Sequence, residues 1–156
     1  MTSDVTETKA DVRLLRFPLR LAARATEYYQ GLFREFALLA ASTPEDTDAV
    51  PVRLLALIDA LGRRYPAQTE HEEERRAALD RGEVAADMVI SVPVSAADAS
   101  RTLDRMLDEA DEFCRAGELL TLAAPEDVSA FRRWYLAEII IQLSGRAPTP
   151  WPGELD

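Results

Sequence analysis

His71 and Cys114 are the residues best suited to metal, acid–base or nucleophilic chemistry, and the chain has one of each. His71 lies in Glu70-His71-Glu72-Glu73-Glu74. On a helix His71 and Glu74 share a face, the spacing that carboxylate metal centres use. A di-iron centre in a helical bundle needs two Glu-x-x-His units, which one histidine cannot supply. A solvated histidine among carboxylates is the reading that follows. Cys114 sits on the apolar stripe of its helix. A nucleophilic thiolate needs a base or a positive environment, whereas Asp111 and Glu112 are negative, so a buried structural thiol is expected. A lone cysteine also excludes an intrachain disulfide and argues against a cysteine metal site. The six glycines are scattered and form no phosphate-cradling loop, and no Gly-x-Ser-x-Gly element occurs. Abundant Asp and Glu could bring two carboxylates together, but sequence nominates no pair. The expectation is a protein without catalytic machinery, metal or cofactor.

The residues that could instead bind are Arg132-Arg133-Trp134-Tyr135 and Trp151. Arginine, tryptophan and tyrosine are enriched at interface hot spots. A binding reading puts an arginine and the Tyr135 hydroxyl at a groove rim, with Trp151 as a further contact. A core reading lets Trp134 and Tyr135 fill space while the arginines pair with Glu138 or with Glu126 and Asp127. The isoleucines that follow require burial and favour the core reading.

These side chains are carried by Pro125–Leu143, PEDVSAFRRWYLAEIIIQL. Proline and two carboxylates open it, the chemistry of a helix N-terminus. Phe131, Trp134, Tyr135, Ile139, Ile140, Ile141 and Leu143 leave little polar face, so a largely buried helix is predicted. Upstream, residues 1–10 read as a disordered tail and Val12–Pro18 as a short strand. Leu19 to about Ala41 is helical by the spacing of Leu21, Ala25, Tyr28, Leu32, Phe36 and Leu39. Gly31 inside it suggests a close helix contact. A second helix runs from Asp48 to Tyr65, stopped by Pro66. A charged surface helix follows Thr69 and closes at Gly82. Asp87–Val94 is a second strand, and Ser95 caps a helix that Gly117 ends. Residues 146–156, with Pro148, Pro150 and Pro152, form an extended tail that Trp151 could pin into a groove.

The 156 residues suffice for one domain, residues 11–145, with a real core. No apolar run approaches the roughly 20 residues that span a bilayer. A polar, acidic start and a single cysteine favour the cytoplasm. The net charge of −10 argues against nucleic acid as a partner. Charge is also uneven. Arg13, Arg16, Arg20, Arg24 and Arg34 mark the first strand and helix, whereas Asp98, Asp104, Asp108, Glu109, Asp111 and Glu112 mark the fourth helix. One reading makes these faces available to partners or to a homodimer; the other makes them solvated surface.

An internal repeat is also legible. With Pro18 set on Pro93, Leu32 falls on Leu107; further on, Pro44-Glu45-Asp46 falls on Pro125-Glu126-Asp127. The offset grows from 75 to 81 positions, so the second copy carries about six extra residues near Cys114–Gly117. The predicted fold is a mainly α bundle of about five helices. It comprises two pseudo-twofold strand–helix–helix repeats, residues 12–65 and 87–145, a linking helix at 69–82, and a two-stranded sheet.

Leu15-Arg16-Phe17-Pro18-Leu19, the helix end Asp108–Glu118, Phe131–Glu138 and Pro148-Thr149-Pro150-Trp151 resemble those of small actinobacterial proteins. These accompany anti-sigma kinases, their STAS-domain antagonists and PP2C-type phosphatases. The resemblance covers most of the chain but carries no catalytic signature, and the kinase's ATP-binding motifs are absent. It implies a regulatory protein that binds an anti-sigma kinase, a STAS protein or a sigma factor in partner switching. The alternative is a small-molecule sensor with an apolar pocket between the repeats, and a weaker third is a carboxylate enzyme.

Overall fold

A computed structural model describes residues 8–41 and 72–155 of the chain. In order, these form β1 (Lys9–Pro18), α1 (Leu19–Ala40), α2 (Glu72–Asp80), β2 (Ala85–Pro93), α3 (Ala96–Arg115) and α4 (Glu126–Leu143). The fold is mainly helical with one two-stranded antiparallel sheet. Strand β1 begins earlier than expected, taking Lys9 and Ala10 out of the predicted tail, and β2 is displaced to Ala85–Pro93. The predicted helix 48–65 and its Pro-Glu-Asp turn lie outside the described residues, as does His71.

Strand β1 shows why alternation sets its face. Val12 and Leu14 are buried while Asp11 and Arg13 are exposed, the period of two expected of a strand with one covered face. The pairing runs from Lys9 opposite Pro93 to Leu14 opposite Met88, then slips at a bulge before Phe17 meets Ala86. Arg16 sits in that bulge with φ 55°, a left-handed conformation that a side chain seldom adopts. Its N–H donates to Asp87 Oδ1 at 2.9 Å, which holds the kink in place. Beyond the bulge, Pro18 stays extended and Leu19 N–H donates to Val84 C=O at 3.2 Å as α1 begins.

Two strands alone are marginal in water, and other elements cover the outer edge of β1. Gln142 of α4 accepts from Arg13 N–H and donates to Arg13 C=O, both at 2.8 Å. Trp151 N–H donates to Leu15 C=O at 3.0 Å. An edge closed this way cannot template pairing with another chain.

Helix α4 is the centre. Its partners are α3 above all, then α1 and β1. It buries Val128, Phe131, Trp134, Leu136 and Ile139, and also Ser129, Arg132 and Glu138. Burial on so many sides accounts for a sequence with little polar face. One packing region joins α4 to the sheet and the start of α1. The other joins Leu32 and Phe36 of α1 to Leu107, Ala110 and Cys114 of α3. Two expectations fail locally. Nothing lies within 4 Å of where a Gly31 side chain would begin, so that glycine serves no close contact among the described residues. Ser95 precedes α3 in a helical conformation and makes no side-chain capping bond. Gly117 does end α3: at φ 75° its N–H donates to Cys114 C=O, while Glu118 N–H donates to Phe113 C=O, the paired bonds of a Schellman motif.

After Gly145 the chain folds back as an extended segment. Trp151, 5% exposed, packs edge-on against Trp134 at 5.5 Å and Phe131 at 6.1 Å between ring centres. The expected pinning of this segment is therefore observed. Replacing Trp151 by Ala should cost about 3–5 kcal/mol in urea unfolding, the range for emptying a buried aromatic site. A loss below about 1 kcal/mol would show that the segment is not part of the core.

Candidate functional site

Arg132 lies only 5% exposed between α4 and α3. Its Nε donates to Asp104 Oδ1 at 3.0 Å, and its Nη2 makes a short bond to Asp108 Oδ1. Arg133, exposed, reaches the same Asp108 oxygen at 3.2 Å. Asp104 and Asp108 are one turn apart on α3, so both face the guanidinium together. This pairing corrects the sequence expectation, which gave the arginines Glu138 or the Pro-Glu-Asp carboxylates. Glu138, 2% exposed, instead accepts from Thr149 N–H and Gln142 Nε2. Asp127 pairs with Arg24 of α1 at 2.9 Å.

The electrostatics follow from these neighbours. Burial alone would raise the Asp108 carboxyl, but hydrogen bonds and charge from Arg132 and Arg133 outweigh it and hold the group below its ordinary value. Burial opposes the Arg132 charge, while Tyr29, Asp108 and Asp104 more than restore it. The Tyr29 hydroxyl is buried nearby with no hydrogen-bond partner of conventional geometry among the described residues. Cys114 is buried, and desolvation is the main cause raising its thiol, with Asp111 and Glu35 adding to it. It remains a thiol, in keeping with a structural role.

A second set of polar bonds shapes the loop between α3 and α4. Glu35 of α1 accepts from Leu120 N–H at 2.6 Å, and from Thr121 N–H at 2.7 Å and Thr121 Oγ1 at 2.6 Å. Tyr28 hydroxyl donates to Leu122 C=O at 2.8 Å. Asp111, 7% exposed, accepts from Ala124 N–H at 2.7 Å and holds Arg115 at 2.8 Å. Leu119 is drawn into the core while Leu120 and Leu122 point outward, 93% and 80% exposed. Leu38, one turn beyond Glu35 on α1, is 69% exposed. A loop tied by three acceptor and donor side chains thus displays leucines rather than hiding them.

The five residues nominated for binding separate into two groups. Arg132, Trp134 and Trp151 are buried and Tyr135 is half-buried; only Arg133 is exposed. Tyr135, whose hydroxyl is raised by burial, packs on Phe131. Four of the five therefore serve the interior, while Arg133 points outward above Asp108. On α3, Asp104 and Asp108 pair with Arg132 from the partly exposed surface, and only Asp111 is buried, where it holds the loop. Glu35 and the loop leucines were missed. The available signal was Glu35, a glutamate between Arg34 and the apolar Phe36–Ala40 end of α1.

Among the described residues, no three or more His, Cys, Asp or Glu side chains come together as metal ligands. The groove between α2 and β2 is open and mixed in charge, lined in part by Leu19, Glu74, Arg75, Arg81, Asp87 and Met88. No described helix is long and apolar enough to cross a membrane. Comparison with known proteins finds no matching family model, curated protein or solved structure.

Because Asp108 is depressed in the folded state, its contribution is fully present above the ordinary carboxylate value near pH 4. It is lost as pH falls through the lower folded-state value. Asp108→Asn should therefore flatten the decline in stability below about pH 4, measured by urea unfolding. An unchanged acid limb would contradict the role given to Arg132.

Proposed function

We propose that the protein is a non-enzymatic cytoplasmic regulator that acts by binding another protein, through the leucines of the α3–α4 loop and Leu38. The observation that carries this reading is the loop itself. Leucines exposed to this degree lose favourable burial, yet Glu35 and Tyr28 hold the backbone of Leu120 and Leu122, and Asp111 that of Ala124. A preordered apolar display costs little further entropy on association. The residues resembling anti-sigma regulatory proteins point to the partner class: an anti-sigma kinase, a STAS protein or a sigma factor. Arg133, beside the buried Arg132, is the one member of the aromatic–arginine patch placed to join a contact.

The same reading takes the fold as a duplication of a strand–helix–helix unit about a pseudo-twofold axis. Moved by 75 positions, β1 and α1 fall on β2 and α3, with ends agreeing within two residues. Antiparallel pairing of β1 with β2 is what such an axis requires. The space between the two long helices is filled by Leu32, Phe36, Leu107, Ala110 and Cys114, so no observation favours a ligand sensor.

The test is direct binding of the purified chain to an anti-sigma kinase, a STAS protein and a sigma factor from its own genome. One of these should bind, and Leu120→Asp with Leu122→Asp should weaken it at least about tenfold, or about 1.4 kcal/mol, at an unchanged melting temperature. Binding by none of the three removes partner switching. Binding that the double variant leaves intact removes the leucine surface.

A further inference from the structure

We propose that the free edge of β2 is a dimer interface, at which β2 of a second copy of the chain pairs antiparallel about a twofold axis through Val89. The phase of the ladder locates that edge. Val94 N–H donates to Thr8 C=O at 3.0 Å. Along an antiparallel pair, residues that bond across it alternate with residues whose N–H and C=O point away. Val92, Ile90 and Met88 therefore bond toward β1, and Ser91, Val89 and Asp87 present their backbone groups to the other side. β1 shows the same phase: Arg13, opposite Val89, turns its N–H and C=O outward to Gln142. The extra residue of the bulge lies on β1, so β2 keeps its alternation.

The two edges of the sheet differ. That of β1 is closed by Gln142 and Trp151. That of β2 has no hydrogen-bond partner among the described residues. Helix α2 does not block it, because the groove beside Ala86, Asp87 and Met88 is open. An open edge is a template for another strand.

The side chains point to which strand. Outside the leucine surface, the exposed large apolar residues among those described are Val84, Val89 and Val94. Val84 and Val94 stand five positions on either side of Val89. A twofold through Val89 therefore sets Val89 against its own copy, and Val84 of each chain against Val94 of the other. The same register pairs Asp87 with Ser91, so each outward N–H and C=O of these residues meets a mate. The two Asp87 carboxylates then stand about 14 Å apart, at about 3.4 Å per residue. A twofold through Asp87 would put them face to face, which is destabilising. One through Ser91 would set Val89 against Pro93, which has no N–H to donate. A strand of any sequence can use the backbone groups, but β2 itself supplies valine at each matching position. Twofold pairing of identical surfaces is also the commonest form of oligomer.

The native chain tests this at about 500 μM, enough to populate a dimer of sub-millimolar affinity. Its sedimenting mass should move from 17.3 kDa toward twice that. The amides of Val89 and Ser91 should exchange at least about twofold more slowly there than at about 5 μM. Val89→Lys sets like charges opposite one another and should raise the dissociation constant at least about tenfold. Its melting temperature at about 5 μM should be unchanged, since the side chain is exposed. A chain that stays monomeric at about 500 μM overturns the proposal. So does a dimer that Val89→Lys leaves intact, or one in which Val89 and Ser91 exchange at the monomer's rate, since another surface would then hold it.

Discussion

Helix α4 carries apolar side chains around most of its circumference, and the described fold is what covers them. α3 takes one side, α1 and the sheet another, and the segment after Gly145 closes the side that remains. Each covering element is also tied by a polar bond: Arg132 to α3, Asp127 to Arg24 of α1, Gln142 to β1 and Glu138 to Thr149. Burial supplies the bulk of the stabilisation and is non-directional. The polar ties fix which arrangement results, because a buried charge or amide left unmatched costs more than a slightly poorer apolar fit.

The placement of charge follows from the same constraint. An arginine within the buried helix needs carboxylates, and α3 brings two from one face. The loop between α3 and α4 has unsatisfied backbone N–H groups, and Glu35 and Asp111 satisfy them. Asp104, Asp108 and Asp111 on α3 thus have partners within the fold, which gives half of the acidic residues of this helix a structural role that needs no basic partner. Among the described residues, the exposed large apolar side chains are Val84, Val89, Val94 and, most fully exposed, the leucines at 38, 120 and 122, and Arg133 is exposed beside Arg132.

The long helices were legible because their apolar spacing is regular, and Pro18 marked where β1 gives way to α1. Trp151 was legible as an anchor because a large aromatic among prolines has little reason to be solvated. What sequence did not disclose were partners far apart in the chain. Nothing local says that Arg132 meets Asp108 rather than Glu138, since Glu138 is nearer in sequence and on the same helix. The bulge at Arg16 was hidden because arginine seldom takes that conformation, and only Asp87 and the folded-back segment make it tolerable. The exposed leucines looked like a connector because nothing in the loop reveals the carboxylate of Glu35, more than eighty positions away.

Native-state hydrogen exchange addresses the organising role of α4 most directly. If every element depends on covering this helix, the amides of Phe131 to Ile139 should open only with global unfolding. They should be at least as protected as those of Ala22 to Leu32, and more than about a hundredfold slower to exchange than those of Glu73 to Asp80. Exchange of α4 through local opening, as fast as that of α2 while α1 and the sheet stay protected, would contradict the account.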